Sequence, residues 1–187
     1  MDTGYKKRIV DSQLQRRLRV FGAALVVGPK GCGKTTTAQQ QVKTVIKFQN
    51  EKTRKALESA YDIDPYEILN FEKPILFDEW QDFKKVWDVI RDDIDENQRK
   101  GAYILTGSSS QFVKTSHTGT GRISTLKMYP MSLYESGESN GLISIKELFD
   151  DPNSFKPCKC DLKFEDYAYL ICSGGWTAVF QIDAKDE

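Results

Sequence analysis

The hydrophobic positions of this chain form short apolar runs that are separated by longer amphipathic segments. Three runs of three to five residues contain no charged side chain, and a fourth segment alternates apolar with polar residues. Apolar runs closed by glycine, proline or polar residues are typical of buried strands, and alternation is typical of a strand with one buried face. The pattern therefore predicts strands at Ala23–Val27, Ile75–Phe77, Ala102–Leu105 and Ile123–Tyr129.

The segments around these strands carry apolar residues at helical spacing. Asp82 is expected to cap one of the helices, because its carboxylate can accept from free N–H groups of a first turn. Within residues 50–73, Pro65 begins one further helical turn, where the missing N–H of proline is harmless. The spacing predicts helices over Ser12–Val20, Lys34–Gln49, Asp82–Asn97 and Glu165–Cys172.

Strands that alternate with helices predict an α/β layered domain with a largely parallel sheet. The length of 187 residues suits one domain over residues 1–187. The 39% hydrophobic and 29% charged residues are typical of a globular protein. No apolar run approaches the ~18 residues of a membrane span, and the polar first residues do not resemble a signal peptide. We therefore expect a cytoplasmic protein with no membrane partner.

The charge of the chain is balanced overall and uneven along its length. A formal net charge of zero gives no field that would gather nucleic acid. Residues 1–20 hold six Lys and Arg against two Asp, a net of +4, and residues 134–187 hold eleven acidic residues against five lysines, a net of −6. Solvated surfaces are the favoured interpretation, and a basic nucleic-acid-binding arm is the alternative.

One motif carries a specific chemistry. The pattern G-x-x-x-x-G-K-[ST] is filled from Gly28 to Thr35, with an apolar strand before it and a helix after it. Glycines let backbone N–H groups converge on phosphates, the lysine reaches the β and γ phosphates, and the hydroxyl ligates Mg²⁺. The predicted nucleotide-binding residues are Gly28, Pro29, Lys30, Gly31, Cys32, Gly33, Lys34, Thr35 and Thr36.

Cys32 lies inside this motif and has two interpretations. A thiol at a helix N-terminus beside a lysine is oxidisable, whereas an unspecified loop position can simply be cysteine, and we prefer the second interpretation. The other cysteines, Cys158, Cys160 and Cys172, lack the spacing of a zinc site, and the one histidine, His117, lies in a polar loop. We therefore expect the cysteines to be reduced thiols with a structural role or no particular role.

Two carboxylates follow the second predicted strand. Asp78 and Glu79 come directly after the apolar Ile75–Phe77, about forty residues beyond the phosphate-binding motif. Successive strand residues point to opposite sides, so the two acids can have different roles. Asp78 is predicted to hold Mg²⁺ in the Walker B role, and Glu79 is predicted to polarise the attacking water as a general base.

Further candidates flank these motifs. Thr106 and Ser108 end the third strand and are predicted either to contact the γ-phosphate, with Ser108 as the preferred residue, or only to close the strand. Arg122 ends a long Ser, Thr and Gly-rich stretch and is either an arginine finger, in cis or from a neighbouring subunit, or a surface residue. Trp80 and Gln81 follow the acids and are candidates to relay nucleotide state to the next helix, and Trp80 is equally a candidate for the hydrophobic core.

Taken together, these stretches resemble one family. GPKGCGKTTTA, PILFDEWQ, YILTGSSS, HTGTGRISTLKMYPMSLYESGESNG, ISIKELFD and ICSGGW are similar to the ATPase domain of bacterial and archaeal AAA+ ATPases that carry a C-terminal domain of unknown function. The resemblance runs from about Tyr5 to Trp176. It implies a three-layer P-loop NTPase domain of the AAA+ type with strand order 5-1-4-3-2, helices on both faces, and the roles of Lys34, Thr35, Asp78 and Glu79 given above.

The chain also departs from that family. Thr177 follows Trp176 where members usually have proline, no strand is evident between the P-loop helix and Asp78, and no helical lid is evident. The second domain of the family is expected to be absent, so the whole chain is interpreted as a single P-loop ATPase domain.

Two functions from different classes follow. The first is a Mg²⁺-dependent ATPase, slow in isolation, with ATP and Mg²⁺ as cofactors and Glu79, Lys34, Ser108 and Arg122 as catalytic residues. The second is a nucleotide-gated switch with little turnover. Expected partners are a second copy of the chain or a C-terminal domain, and nucleic acid is a weaker third.

Overall fold

The computed structural model describes residues 4–108, 118–154, 157 and 159–179. The chain forms two compact units, Met1–Tyr129 and Pro130–Glu187. The first unit holds the phosphate-binding motif and the acid pair. That the two units together act as one P-loop ATPase domain stays a prediction.

The first unit is built on a parallel sheet, which in the described residues has five strands. The order is β2-β3-β4-β1-β5, and each of the four neighbouring pairs is parallel. This confirms the α/β class and the order 5-1-4-3-2. The strands are β1 Ala23–Gly28, β2 Thr44–Lys47, β3 Ile75–Asp78, β4 Tyr103–Ser108 and β5 Ile123–Lys127.

Helices cover both faces of this sheet. Short 3₁₀ turns at Pro65–Leu69 and Trp80–Phe83 connect them to the strands. The turn at Pro65 was expected, and the side chain of Asp64 caps it by accepting from the N–H of Tyr66. The helices of the first unit are α1 Ile9–Val20, α2 Lys34–Gln39, α3 Glu51–Ile63 and α4 Lys85–Asn97.

The strand residues divide between two buried clusters according to the alternation of the strand. On one face, Leu25, Phe77 and Leu105 pack with residues of α3 and α4, including Leu57 and Trp87. On the other face, Val26, Leu76 and Ile104 pack with Leu14 of α1 and Ala38 of α2. Since neighbouring strand residues point to opposite sides, each strand contributes to both clusters. The result is the expected three-layer arrangement.

The prediction of one helix over Lys34–Gln49 is wrong. The helix ends at Gln39, and Thr44–Lys47 forms the edge strand β2, which pairs with β3 in the register Ile46↔Phe77. The apolar residues of this stretch fit a helical stripe, but Thr44, Val45 and Ile46 are β-branched, and pairing with β3 decides between the two. The strand that the sequence did not reveal is therefore present.

Asp82 does not cap the helix that follows the acid pair. It lies inside the 3₁₀ turn, and α4 begins only at Lys85, with Lys84 in the capping position. The extra turn forms because the chain leaves β3 at Glu79 in a left-handed conformation. Asn50 is the effective cap of α3, since its side chain accepts from the N–H groups of Lys52 and Thr53.

The second unit is helical in its described part. Ser132 and Glu135 form a capping box at the start of its first helix. Gly175 meets Met131 so closely that its carbonyl accepts from the Met131 N–H at 2.7 Å. No described helix of the chain is long and apolar enough to cross a membrane. The helices are α5 Leu133–Ser136, α6 Ile145–Asp150 and α7 Phe164–Ser173.

Candidate nucleotide-binding site

The phosphate-binding motif connects the end of β1 to the start of α2. Gly31 and Gly33 have φ values of +79° and +97°, a region that favours glycine because a Cβ would be strained there. Gly28 is required for a different reason, since a Cβ on it would collide with the carbonyl oxygen of Met128. The three glycines therefore let the backbone curl tightly at the carboxyl edge of the sheet.

Lys34 is held inside this loop. Its side chain is buried, with 5% of the residue exposed, and its Nζ donates to the carbonyl oxygens of Gly28 and Pro29 at 3.1 and 2.9 Å. A buried ammonium needs such partners. The positive charge is thereby fixed at the centre of the motif, where an anion entering the loop would meet it.

Asp78, at the end of β3, contacts side chains of helix α2 and strand β4. Its Oδ1 accepts from Thr35 Oγ1 on α2 and from Thr106 Oγ1 on β4, each at 2.6 Å, and only 6% of the residue is exposed. The contact with Thr106 follows from the register, because β4 lies between β1 and β3 and Leu105 is opposite Phe77. A carboxylate and a hydroxyl meeting in this way are the oxygen donors that Mg²⁺ prefers, so the residues present fit that ion.

Glu79 lies beside Asp78 with an unusual backbone. Its φ of 55° and ψ of 53° place a non-glycine residue in the left-handed region, which costs on the order of 1–3 kcal/mol and occurs often at functional sites. Its N–H donates to Thr106 Oγ1 at 3.2 Å. Its carboxylate accepts from the side-chain amide of Gln81. Thr106 thus fixes the positions of both acids through one hydroxyl group.

The two candidates at the end of β4 are in different surroundings. Thr106 is completely buried and contacts Asp78 and Glu79, so its position supports more than the closing of a strand. Ser108 is half-buried and lies in register with Gly28, next to the start of the phosphate-binding loop. Its predicted role toward the γ-phosphate stays a prediction.

The other residues of the motif differ in exposure. Lys30, Gly31 and Thr36 are exposed. Cys32 is fully buried in the cluster that contains Val26, which agrees with the simple interpretation of this cysteine. Cys160 and Cys172 are exposed. Cys158 and His117 lie outside the described residues. The described residues contain no group of three or more His, Cys, Asp or Glu that could hold a metal.

Arg122 is not brought to the phosphate-binding loop of its own chain. Its carbonyl accepts from the N–H of Ala23, the first residue of β1, whereas the loop starts at the far end of that strand. Five strand residues span roughly 16 Å at about 3.3 Å each, which an arginine side chain does not cross. Its Nε donates to Asp95 at 2.5 Å on the surface. Action in cis is therefore excluded by position, and action on a neighbouring subunit stays a prediction.

Sequence reasoning missed Arg8. The basic residues 1–20 were interpreted as a solvated surface, but only 5% of Arg8 is exposed, and its guanidinium donates to the carbonyl of Cys32 in the phosphate-binding loop at 2.9 Å. Arg17 is also engaged, through a 2.5 Å bond to Ser124. One arginine in a basic run carries no sequence signal that separates it from its neighbours.

The geometry is that of a nucleotide-binding P-loop domain. A model of the family described as "AAA domain" matches residues 21–137, which include the loop, both acids and all five strands. The chain belongs to the AAA domain family, and it is a nucleotide-binding domain of the AAA type.

One solved structure supports the fold. A crystal structure of a DNA replication initiation factor superposes with a TM-score of 0.53 at 11% identity, covering 92% of this chain and 56% of that one. The structure of C. elegans PCH-2 gives a TM-score of 0.38 at 13% identity, covering 92% of this chain and 54% of that one. The chain thus spans about half the length of these two structures. No curated protein matches it in sequence.

Proposed function

We propose that this chain is a Mg²⁺-dependent ATPase domain that binds ATP at Gly28–Thr36 and hydrolyses it with the help of Glu79. The observation that carries the proposal is the double contact of Thr106, which holds the carboxylate of Asp78 and the backbone of Glu79 at the edge of the sheet. The left-handed backbone of Glu79, a conformation that occurs often at functional sites, supports a role for this second acid.

Several residues of the site would together neutralise the negative charge of the ATP phosphates. The backbone N–H groups of the loop and the buried Lys34 would neutralise the phosphates of ATP. Thr35 and Asp78 would hold Mg²⁺, which when bound supplies further positive charge to the β and γ phosphates. The AAA family and the oxygen donors of Thr35 and Asp78 support this proposal.

Glu79 is the proposed general base. Its carboxylate would orient a water molecule and take its proton as the water attacks the γ-phosphorus and the bond to the leaving ADP oxygen breaks. General base catalysis of this kind typically contributes about 10²–10⁴-fold in rate. The Asp78 carboxylate contacts Thr35 and Thr106, whereas the Glu79 carboxylate does not share these contacts and accepts from Gln81. One acid is thereby available to the metal and the other to water.

The test separates binding from hydrolysis. Wild type, Lys34→Ala and Glu79→Gln are compared for ATP affinity and for phosphate release. Glu79→Gln is expected to bind ATP as wild type does and to release phosphate at least about 100 times more slowly, whereas Lys34→Ala is expected to lose binding. Equal hydrolysis by wild type and Glu79→Gln would overturn the proposed mechanism.

A nucleotide-gated switch is the second candidate, and one contact favours it. The amide of Gln81 donates to the Glu79 carboxylate. This hydrogen bond occupies the carboxylate that would act as the general base in hydrolysis. Gln81 and Trp80 lie in the turn that leads to α4, where the rings of Trp80 and Trp87 are 4.9 Å apart. In this proposal the nucleotide changes the Glu79–Gln81 contact, and α4 transmits the change to a partner.

Gln81→Ala distinguishes the two candidates. If Gln81 restrains Glu79 in a switch, the variant releases phosphate several times faster than wild type. If Gln81 positions Glu79 for hydrolysis, the variant is slower. The switch would be favoured over the ATPase if wild type binds ATP tightly without releasing phosphate and if Gln81→Ala does release phosphate.

A further inference from the structure

A buried arginine lies behind the phosphate-binding loop. Arg8 precedes α1, and its two terminal nitrogens donate to two backbone carbonyls that are far apart in the sequence. Nη1 donates to Cys32 O and Nη2 donates to Tyr129 O, each at 2.9 Å. The guanidinium therefore connects the loop between β1 and α2 to the chain that follows β5.

Arg8 is itself held in place by Asp11 and Tyr5. Asp11, 5% exposed, accepts from the N–H of Arg8 at 2.8 Å. The hydroxyl of Tyr5 donates to the same carboxylate at 2.8 Å and lies 3.0 Å from Thr37 Oγ1 on α2. We call Tyr5, Arg8 and Asp11 the N-terminal clamp, because they connect the start of the chain to Cys32 inside the phosphate-binding loop and to Thr37 just after it.

The contact with Cys32 determines the direction of the next N–H group. In a trans peptide the C=O and the following N–H point in opposite directions. Because the Cys32 carbonyl is directed at Arg8, the N–H of Gly33 is directed away from Arg8. P-loops bind phosphates through backbone N–H groups of this kind.

We propose that Arg8 is a positioning residue for nucleotide binding, which holds the Cys32–Gly33 peptide so that the Gly33 N–H faces the phosphates before the nucleotide arrives. The inference rests on nucleotide binding at the loop, which is part of the proposed function, and does not depend on hydrolysis. Donors that are already oriented bind a ligand more tightly, because no free energy of binding is lost in ordering them.

Lysine is a poor substitute for arginine at this place. The planar guanidinium donates to two carbonyls in fixed directions, whereas an ammonium on a flexible stem is a single point charge. Removing the side chain altogether leaves the carbonyls of Cys32 and Tyr129 without this donor. The series arginine, lysine, alanine therefore weakens the restraint on the Cys32–Gly33 peptide in two steps.

The experiment measures nucleotide affinity in the full chain. Wild type, Arg8→Lys, Arg8→Ala and the control Arg16→Ala, an exposed arginine on α1, are titrated with ADP and with a non-hydrolysable ATP analogue in the presence of Mg²⁺. We expect Kd to rise about threefold in Arg8→Lys and about tenfold or more in Arg8→Ala, and to be unchanged in Arg16→Ala. Where phosphate release is measurable, KM rises with Kd and kcat stays within about twofold.

Two results would overturn the proposal. One is a Kd within twofold of wild type in a folded Arg8→Ala protein. The other is a fall in kcat at unchanged Kd, which would place Arg8 in the chemistry instead of in binding. If Arg8→Ala does not fold, Arg8→Lys is used instead, and a Kd within twofold of wild type in that variant overturns the proposal. A wild type that binds ADP without hydrolysing ATP contradicts the ATPase proposal and leaves this measurement intact.

Discussion

The hydroxyl of Thr35 donates a 2.6 Å hydrogen bond to Oδ1 of Asp78, although the two residues are 43 positions apart in the chain. The same oxygen accepts from Thr106 on the strand between them. The first turn of α2 is thus attached directly to the end of β3. A change at any one of these residues is expected to affect the other two.

Thr35→Ala tests the proposed metal site. The variant removes one oxygen donor and leaves the loop backbone in place, so we expect Mg²⁺ to lose most of its effect on ATP affinity, by about tenfold or more relative to wild type. Thr35→Ser retains the hydroxyl and is the matched control. The measurement is ATP-analogue binding with Mg²⁺ and with a chelator. A response to Mg²⁺ in Thr35→Ala equal to that of wild type would contradict the assignment.

Gly28→Ala tests the close approach of the loop to Met128, which directly follows β5. The added methyl group would collide with the Met128 carbonyl and come within 3.2 Å of Cys32 Sγ, so the backbone must shift. We expect a loss of about 1–3 kcal/mol in unfolding free energy and weaker nucleotide binding, measured by urea denaturation and titration.

A second glycine gives the control for that prediction. Gly121 has a φ of +81°, and a Cβ on it would have no atom within 4 Å. Gly121→Ala therefore adds backbone strain of about 1 kcal/mol without a collision. It is expected to leave nucleotide affinity unchanged. An equal loss of affinity in both variants would show that the collision with Met128 is not the cause.

Tyr5→Phe is predicted to change the pH dependence of stability. Burial raises the pKa of Tyr5 from 10.0 to about 12, and hydrogen bonding to Asp11 adds to the increase while Thr37 opposes it. A raised folded-state pKa gives stability that is complete below about pH 10 and is lost as pH rises toward about 12.

The comparison uses the two proteins at pH 9 and pH 11.5. At pH 9 wild type is expected to be more stable than Tyr5→Phe by about 1 kcal/mol, because the hydroxyl keeps its partners. The difference should shrink by pH 11.5, and other groups that titrate in this range are common to both proteins. A difference that does not change with pH would show that folding does not raise the pKa of Tyr5, because stability depends on pH only where the pKa differs between the folded and unfolded states.

Arg122 is expected to act only between copies of the chain. Specific phosphate release by wild type should rise with protein concentration if a neighbouring subunit supplies this arginine, and Arg122→Ala should abolish the rise. The bond from Arg122 holds the pKa of Asp95 below its usual range, and Asp95→Asn weakens that pair while keeping the arginine. Asp95→Asn should therefore retain the rise. A rise that persists in Arg122→Ala would exclude the finger.

Local sequence was sufficient to locate the elements that depend on neighbours in the chain. The run before Gly28, the glycines and Lys34 predicted the loop because strand, turn and helix follow one another without interruption. The apolar Ile75–Phe77 ahead of Asp78 and Glu79 predicted the end of β3 for the same reason. The sequence pattern failed at Thr44–Lys47, where strand pairing overrides a spacing that also fits a helix.

The sequence by itself determined the α/β class, the phosphate-binding loop and the acid pair, because each is written in consecutive residues with strong backbone preferences. The resemblance added the strand order. Only the tertiary structure decided that Thr106 unites Asp78 and Glu79, that Arg122 lies far from its own loop, and that Arg8 is buried against Cys32. These relationships join residues on different elements, and their geometry exists only after the sheet has brought those elements together.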